Sequence, residues 1–428
     1  MVCKFSTGTT TYQWQLRATY LPSSPPAYRG WVWIKVKPPP LSSTMGLSPE
    51  THAEGLAAYR DVGRHRAAEI GNSGPLRLTD AGRLHPDILA TYRKHGYYIF
   101  SNLLGDQEIT ELRDDVAEML ARAPVREGSE TDALGRPALG INYARSPYIF
   151  AKPLSDPWGG TEIFGGRHQV QMEQPIADAD APDEIIFTMI AMCQALPAGL
   201  RLYGHPDLLA VAASINGEDF VPFNDSIFVK EPGLGGAVAW HQDGVTHWDS
   251  PNWDPEIHGF NFQAQLYDAT LGNCLWVLPG SHKVGKVDIK TLLHQNGGSE
   301  QLSGAVPLEC DTGDVLIINR QILHGSFANT SPDRRISLTF GFHRRSSVLG
   351  VKMASGLSQK RPGQLCNAQR IFDRSAVIQL AIDARHKHWP NSPRFAYAPF
   401  DGLEDDFRIN SDTIKRFLKD YYLKDLAI

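Results

Sequence analysis

Four residues in the second half of the chain carry most of its chemical information. His241 and Asp243 stand two positions apart in Trp240-His241-Gln242-Asp243. His324 follows far downstream in His324-Gly325-Ser326, and Arg335 comes eleven positions after it. Two imidazoles and one carboxylate can occupy one face of a six-coordinate metal and leave the other positions open, a donor set suited to non-haem Fe(II) oxygenases. The arginine suggests what fills two of the open positions, because a planar guanidinium grips a carboxylate through two parallel bonds. An anionic, chelating co-substrate such as 2-oxoglutarate matches that pairing, its distal carboxylate on Arg335 and its keto-acid end on the iron.

Strand phase sharpens the assignment. Residues i and i+2 of a strand face the same way, so a strand over 237–242 points His241 and Asp243 together and turns Trp240 and Gln242 to the other side. In the run from Arg335 to Phe340, Arg335, Ser337 and Thr339 share one face, while Ile336, Leu338 and Phe340 share the other. Arg334 falls in phase with the apolar set, so Arg335 is the expected anion anchor, a choice that a one-residue bulge would reverse. Ser326 lies two positions past His324 and offers a hydroxyl on the same face. A rival exists: His247 completes a His-X-Asp-X-X-X-His set around which a zinc hydrolase can be built, although such an enzyme has no need of the arginine. A non-catalytic binding protein that keeps the fold is a third reading. His282, inside Pro279-Gly280-Ser281-His282-Lys283, reads as part of a structural turn.

Strands must hold these residues. From Phe220 onward, strand-like runs at 227–229, 237–242, 260–267, 275–278, 315–319 and 335–343 are separated by Gly, Pro and Asn turns, a pattern suited to a jelly roll or sandwich. His324 is expected to end the run that begins at Val315. Upstream, 96–100 reads as a short strand. Ile109, Leu112, Val116, Met119 and Leu120 recur at helical spacing after Gly105-Asp106. Glu184 to Leu200 reads as a helix, Pro206 opens another, and 124–180 reads as long loops. Ile414, Phe417, Leu418 and Tyr421 predict an amphipathic helix over 413–422. The folded part is expected to start near residue 78. The plan is a single domain over 45–428, with a helical part at about 78–215, a β core at about 220–345 and a loop-and-helix segment over 346–428. Residues 1–44, with Trp14, Trp31, Trp33 and Pro38-Pro39-Pro40, read as a disordered extension or as an artefact of start-site choice.

Composition narrows the class. The chain has 428 residues, 42% of them hydrophobic, enough for a sizeable core, and a net charge of −5. A pI near 6.3 does not suit nucleic-acid binding, and no apolar run is long enough for a membrane span. The five cysteines are scattered and odd in number, without zinc-type spacing or a disulfide framework. A reducing, intracellular and specifically cytoplasmic setting is therefore expected, with a small-molecule substrate. Nothing in the sequence specifies an oligomeric state.

These motifs together resemble the phytanoyl-CoA dioxygenase family of Fe(II)/2-oxoglutarate oxygenases. The likeness rests on Lys230-Glu231-Pro232-Gly233, Trp240-His241-Gln242-Asp243, Asn273-Cys274-Leu275 and Val277 to Lys283. It continues through Gly313-Asp314-Val315 and His324-Gly325-Ser326, then Asn329 and Arg335, and covers roughly residues 78–345. The resemblance implies a double-stranded β-helix (jelly-roll, cupin-like) core with helices packed outside it. It implies iron on His241, Asp243 and His324, 2-oxoglutarate on Arg335, and O2 as oxidant, with succinate and CO2 released as a C–H group is oxidised. It also implies that Lys230, Gln242 and Ser326 lie near the co-substrate. Gln263 falls about where some relatives carry a tryptophan by the active site. Because Asp243 is present, the resemblance implies hydroxylation or a related oxidation in preference to halogenation. Two segments are candidates for the substrate pocket: 140–172, with Asn142, Tyr143, Arg145, Arg167, His168 and Gln169, and 246–261, with Trp248 and Trp253. The basic stretch Arg344, Arg345, Lys352, Lys360 and Arg361 is a further candidate for an anionic group. Limited proteolysis is expected to remove residues 1–44 before it cuts the remainder, and their survival would count against the extension reading.

Overall fold

The computed structural model describes residues 47–222, 225–243, 258–352 and 365–419. The expected 1–44 extension, His247, Trp248, Trp253, Lys360, Arg361 and Tyr421 lie outside the described residues. In chain order the strands are β1 (Ser73–Gly74), β2 (Tyr97–Phe100), β3 (Tyr148–Ala151), β4 (Ile185–Met189), β5 (Val221–Pro222), β6 (Ser226–Lys230), β7 (Val238–His241), β8 (Gly259–Gln265), β9 (Leu275–Val277), β10 (Val306–Leu308), β11 (Val315–Asn319), β12 (His324–Ser326) and β13 (Arg335–His343). The larger sheet runs β1-β2-β11-β8-β13-β6-β4-β3, with β5 also on β13, and the smaller runs β10-β9-β12-β7. From β6 onward the chain passes back and forth between the sheets. β6, β8, β11 and β13 lie in the larger, and β7, β9, β10 and β12 in the smaller, all paired antiparallel. This is the expected double-stranded β-helix.

Alternation along β8 and β13 sorts their side chains. Phe260, Phe262 and Ala264 of β8 join Ile336, Leu338, Phe340 and Phe342 of β13 in the main core, facing Tyr203 and Phe220. Each such fully buried ring or branched chain contributes about 1.5–3 kcal/mol relative to exposure. The opposite face carries Asn261, Gln263 and Gln265 of β8 and Arg335 and Ser337 of β13, all buried. Helices cover the outside. Helix Asp106–Ala121 and helix Ala368–His388 are joined by a two-pronged ion pair, Arg385 Nη1 to Glu108 Oε1 at 2.6 Å and Nη2 to Oε2 at 3.1 Å. Helix Pro49–Ile70 lies against the smaller sheet, where Tyr59 stacks on Trp276 at 4.5 Å between ring centroids.

The structure corrects several sequence expectations. Folding begins well before residue 78, with the helix over Pro49–Ile70, which has Ser48 as N-cap, proline in its first turn and Gly71 at its C-terminus. Only His52, Leu56 and Gly63 of that helix are buried, so its apolar periodicity is faint. The expected helix over 184–200 is strand β4 followed by two short helices, Met192–Ala195 and Pro197–Tyr203. Ile185-Ile186-Phe187 favours a strand between neighbours, and Pro197 cannot lie inside a helix. The region 124–180 is largely irregular, as expected, but includes β3. The run from Val315 does not reach His324, because β11 ends at Asn319 and His324 opens β12 in the other sheet. At the tail, a turn at Ser411–Thr413 leads into a π-helical turn over Ile414–Leu418.

Gly204 lets the first of these layers close. A Cβ there would lie 2.4 Å from the Ala381 carbonyl carbon and oxygen, backbone atoms of the helix packed above it. Gly204→Ala is therefore expected to cost about 1–3 kcal/mol in denaturant or thermal unfolding. Gly55→Ala, where nothing lies within 4 Å of the added carbon, is expected to be neutral or mildly stabilising.

Candidate metal centre

The antiparallel register of β12 on β7 sets His324 opposite His241. Asp243 follows β7 directly, and the ligand atoms of His241, Asp243 and His324 lie within 4.8 Å of one another, all three side chains buried. Nε2 of His241 is 3.6 Å from Asp243 Oδ1, and Nε2 of His324 is 3.9 Å from Oδ2. Each imidazole is turned by its own backbone. Nδ1 of His241 meets the Ala239 carbonyl at 2.7 Å, and Nδ1 of His324 meets the Ile322 carbonyl at 2.9 Å. A carbonyl can only accept, so Nδ1 carries the proton and Nε2 presents its lone pair toward the centre.

Electrostatics keep the three groups in the protonation states a metal requires. Burial works against the charge of Asp243, but Arg167, His324 and Arg320 hold its carboxyl far below the usual carboxylate range. Arg167 Nη1 reaches Oδ1 at 2.9 Å, and Asn261 Nδ2 donates to Oδ2 at 2.6 Å. Burial lowers the pKa of His241 and of His324, and in His241 the charge of His324 acts in the same direction. The result is one anionic oxygen pair and two neutral imidazoles, a donor set that suits a divalent ion such as Fe(II) and leaves positions open for other ligands.

Between the sheets, Arg335 is 2% exposed, and Nη1 donates to the Asn273 carbonyl at 2.6 Å. Among the described residues its Nε and the Ser337 hydroxyl beside it have no hydrogen-bond partner. Among the described residues no carboxylate pairs with this guanidinium, and burial pushes its pKa down to about 10. Arg334, by contrast, is half exposed and pairs with Glu231 at 2.8 Å. The β13 register runs without a bulge against both β6 and β8, so the strand phase that separates Arg335 from Arg334 is preserved.

Comparison with known proteins identifies the family of the chain. The family model described as Phytanoyl-CoA dioxygenase (PhyH) matches residues 92–337, more than half of the chain. The chain belongs to the phytanoyl-CoA dioxygenase family. It is 38% identical over 117 residues to Phytanoyl-CoA dioxygenase 1 of Oryza sativa subsp. japonica, a match spanning 26% of this chain and 40% of that relative. It is 24% identical over 263 residues to Phytanoyl-CoA dioxygenase of Arabidopsis thaliana, spanning 59% of this chain and 87% of that one. Among solved structures, EctD from S. alaskensis with bound Fe aligns with a TM-score of 0.43 at 17% identity, covering 64% of this chain and 81% of that chain.

The other expected site residues of this family member fall in different places. Ser326 is buried on β12, but the β7–β12 register shifts between His324 and Ser326, so simple two-residue phase does not carry from one to the other. Lys230 pairs in register with Arg335. Its ammonium gives two of its three donors to the carbonyls of Gly236 at 2.7 Å and Phe327 at 2.6 Å, bridging the two sheets. Gln242 does not face the metal ligands. Strand alternation turns it outward, where its amide donates to Gly285 and Gln321 carbonyls and accepts from Val287 N. It is a strut between those loops. Gln263 faces inward, donating to Thr339 Oγ1 at 3.3 Å and accepting from Gln265. His282 is buried in its turn with Nε2 against the Arg93 carbonyl.

Of the two candidate substrate segments, 140–172 brings Arg167 and His168 to the metal ligands, while Asn142 is exposed. Arg167 also borders a cleft of about 230 Å³ formed with Gly165, Gln169, Gln242, Lys286 and Val287. Sequence reasoning overlooked Asn261 and Arg320. The signal for Asn261 was present, since it alternates with Phe260 and Phe262 as the polar side chain of a half-apolar strand. Replacing Asn261 with alanine removes one of the two close donors to Asp243. It is expected to weaken Fe(II) binding by about 10–100-fold, measured by anaerobic metal titration, with little change in thermal stability.

Proposed function

We propose that this chain is a non-haem Fe(II)- and 2-oxoglutarate-dependent dioxygenase that oxidises a C–H bond of a small organic molecule. The observation that carries the reading is the convergence of His241, Asp243 and His324 on one point with both Nε2 lone pairs directed inward. Family membership supports it, as does the buried guanidinium of Arg335 without a carboxylate partner among the described residues.

His241, Asp243 and His324 hold the iron. Bound there with 2-oxoglutarate, the metal supplies O2 activation, the keto acid leaving as succinate and CO2. Arg335 grips the distal carboxylate of the co-substrate, and its two-pronged geometry sets the direction in which the molecule lies. Ser337, two positions along the same strand face, and Lys230, opposite Arg335 in register, would supply further donors to the same anion. Lys230 also fixes the spacing of the two sheets at that end through its bonds to Gly236 and Phe327. Arg167 and Asn261 keep Asp243 ionised and oriented, so the third protein position is filled by a carboxylate and hydroxylation is favoured over halogenation.

Purified protein given Fe(II) and 2-oxoglutarate under air is expected to release succinate, and His241→Ala or Asp243→Ala to reduce this to background. Unchanged 2-oxoglutarate consumption in both variants would sink the assignment. Arg335→Ala is expected to raise the Kd for 2-oxoglutarate by about 10²–10³-fold while Fe(II) binding is retained, since truncating one side of a buried charge pair costs roughly 3–4 kcal/mol.

A further inference from the structure

His168 touches the metal-binding residues yet has no part in the roles above. It is fully buried, and its ring centroid lies 4.2 Å from that of His241, with Trp158 at 5.5 Å and Phe164 at 6.2 Å forming the surrounding wall. Among the described residues, neither Nδ1 nor Nε2 has a hydrogen-bond partner. A neutral imidazole carries one N–H and one lone pair, and leaving such a group unmet in a protein interior is destabilising.

The position is enforced from both sides. Arg167 is tied to Asp243. Gln169 donates to the Val287 carbonyl at 3.2 Å and accepts from Ile289 N at 3.0 Å. The His168 carbonyl accepts from Gly160 N at 2.8 Å. The ring is therefore held in an unfavourable polar state by its neighbours, which points to a ligand that supplies the missing partner. It is not a fourth metal ligand, because the cluster of converging ligand atoms comprises His241, Asp243 and His324 without it.

We propose that His168 donates a hydrogen bond to 2-oxoglutarate at the keto-acid end, an inference that rests on the dioxygenase reading of the site. Arg335 fixes only the distal carboxylate. A bound keto acid also has carboxylate lone pairs in excess of those it gives a metal, and the N–H of a neutral, immobilised imidazole beside the ligands meets one of them. His168 thereby sets the orientation of the co-substrate at the centre, and the loop that contains Trp158 and Phe164 is its support.

The experiment is an anaerobic titration of Fe(II)-loaded protein with 2-oxoglutarate, followed by the visible Fe(II)–keto-acid band, with Fe(II) content measured in parallel. His168→Phe keeps the aromatic volume and removes the donor. It is expected to retain Fe(II), to raise the Kd for 2-oxoglutarate at least tenfold and to displace the band, while His168→Gln, which keeps a donor, recovers part of both. A Kd within twofold of the parent and an unmoved band in His168→Phe overturn the proposal. If His168→Phe does not hold Fe(II), His168→Asn is compared with His168→Ala. A tenfold tighter Kd in the asparagine variant supports the donor role, and equal values overturn it. Absence of the band in the parent protein itself is a failure of the dioxygenase reading, and is distinguished from failure at His168 by that control.

Discussion

His324 faces His241 across two short strands, and everything at the site depends on that register. Side chains on a strand alternate with period two, so a slip of one residue in β12 would turn His324 away from the centre. Two sheets make the slip costly. β12 is held between β7 and β9, and Lys230 ties the carbonyls that flank those strands to the larger sheet. The metal ligands themselves are short and stiffened, with both imidazoles bonded to carbonyls two residues back in their own chains.

A second constraint is electrostatic. Asp243, Arg167, Arg320, Lys230 and Arg335 all lie at or between the sheets, and cations outnumber carboxylates among them. Burial of these groups is costly unless a counter-charge or a set of hydrogen bonds is present. Asp243 is satisfied by Arg167 and Asn261, and Lys230 by two carbonyls. Among the described residues Arg335 and His168 retain unmet nitrogens, which the proposed co-substrate would meet. Outside the larger sheet, Arg385 locks two covering helices together through Glu108.

Much of this was legible in the linear chain. The runs 315–319 and 335–343 coincide with β11 and β13, and period-two alternation identified Arg335 as inward and Arg334 as outward. Local signals failed where burial on both faces erased the alternation, as in β4, and where a strand of three residues such as β10 or β12 offered too little sequence to show a period. The helix over Pro49–Ile70 went unseen because few of its side chains are buried.

The sequence by itself determined the candidate ligand types, the chemistry that a His-X-Asp pair with a distant histidine and an arginine suits, and the alternating strands that carry them, because these are properties of residue identity and of neighbours one or two positions away. The tertiary structure alone decided that His324 lies opposite His241 in another strand. It turned Gln242 outward as a strut, gave Asn261 to Asp243, and pressed His168 against His241 from a loop more than seventy residues upstream. Those are contacts between segments far apart in the chain, and their existence depends on how two sheets close on one another.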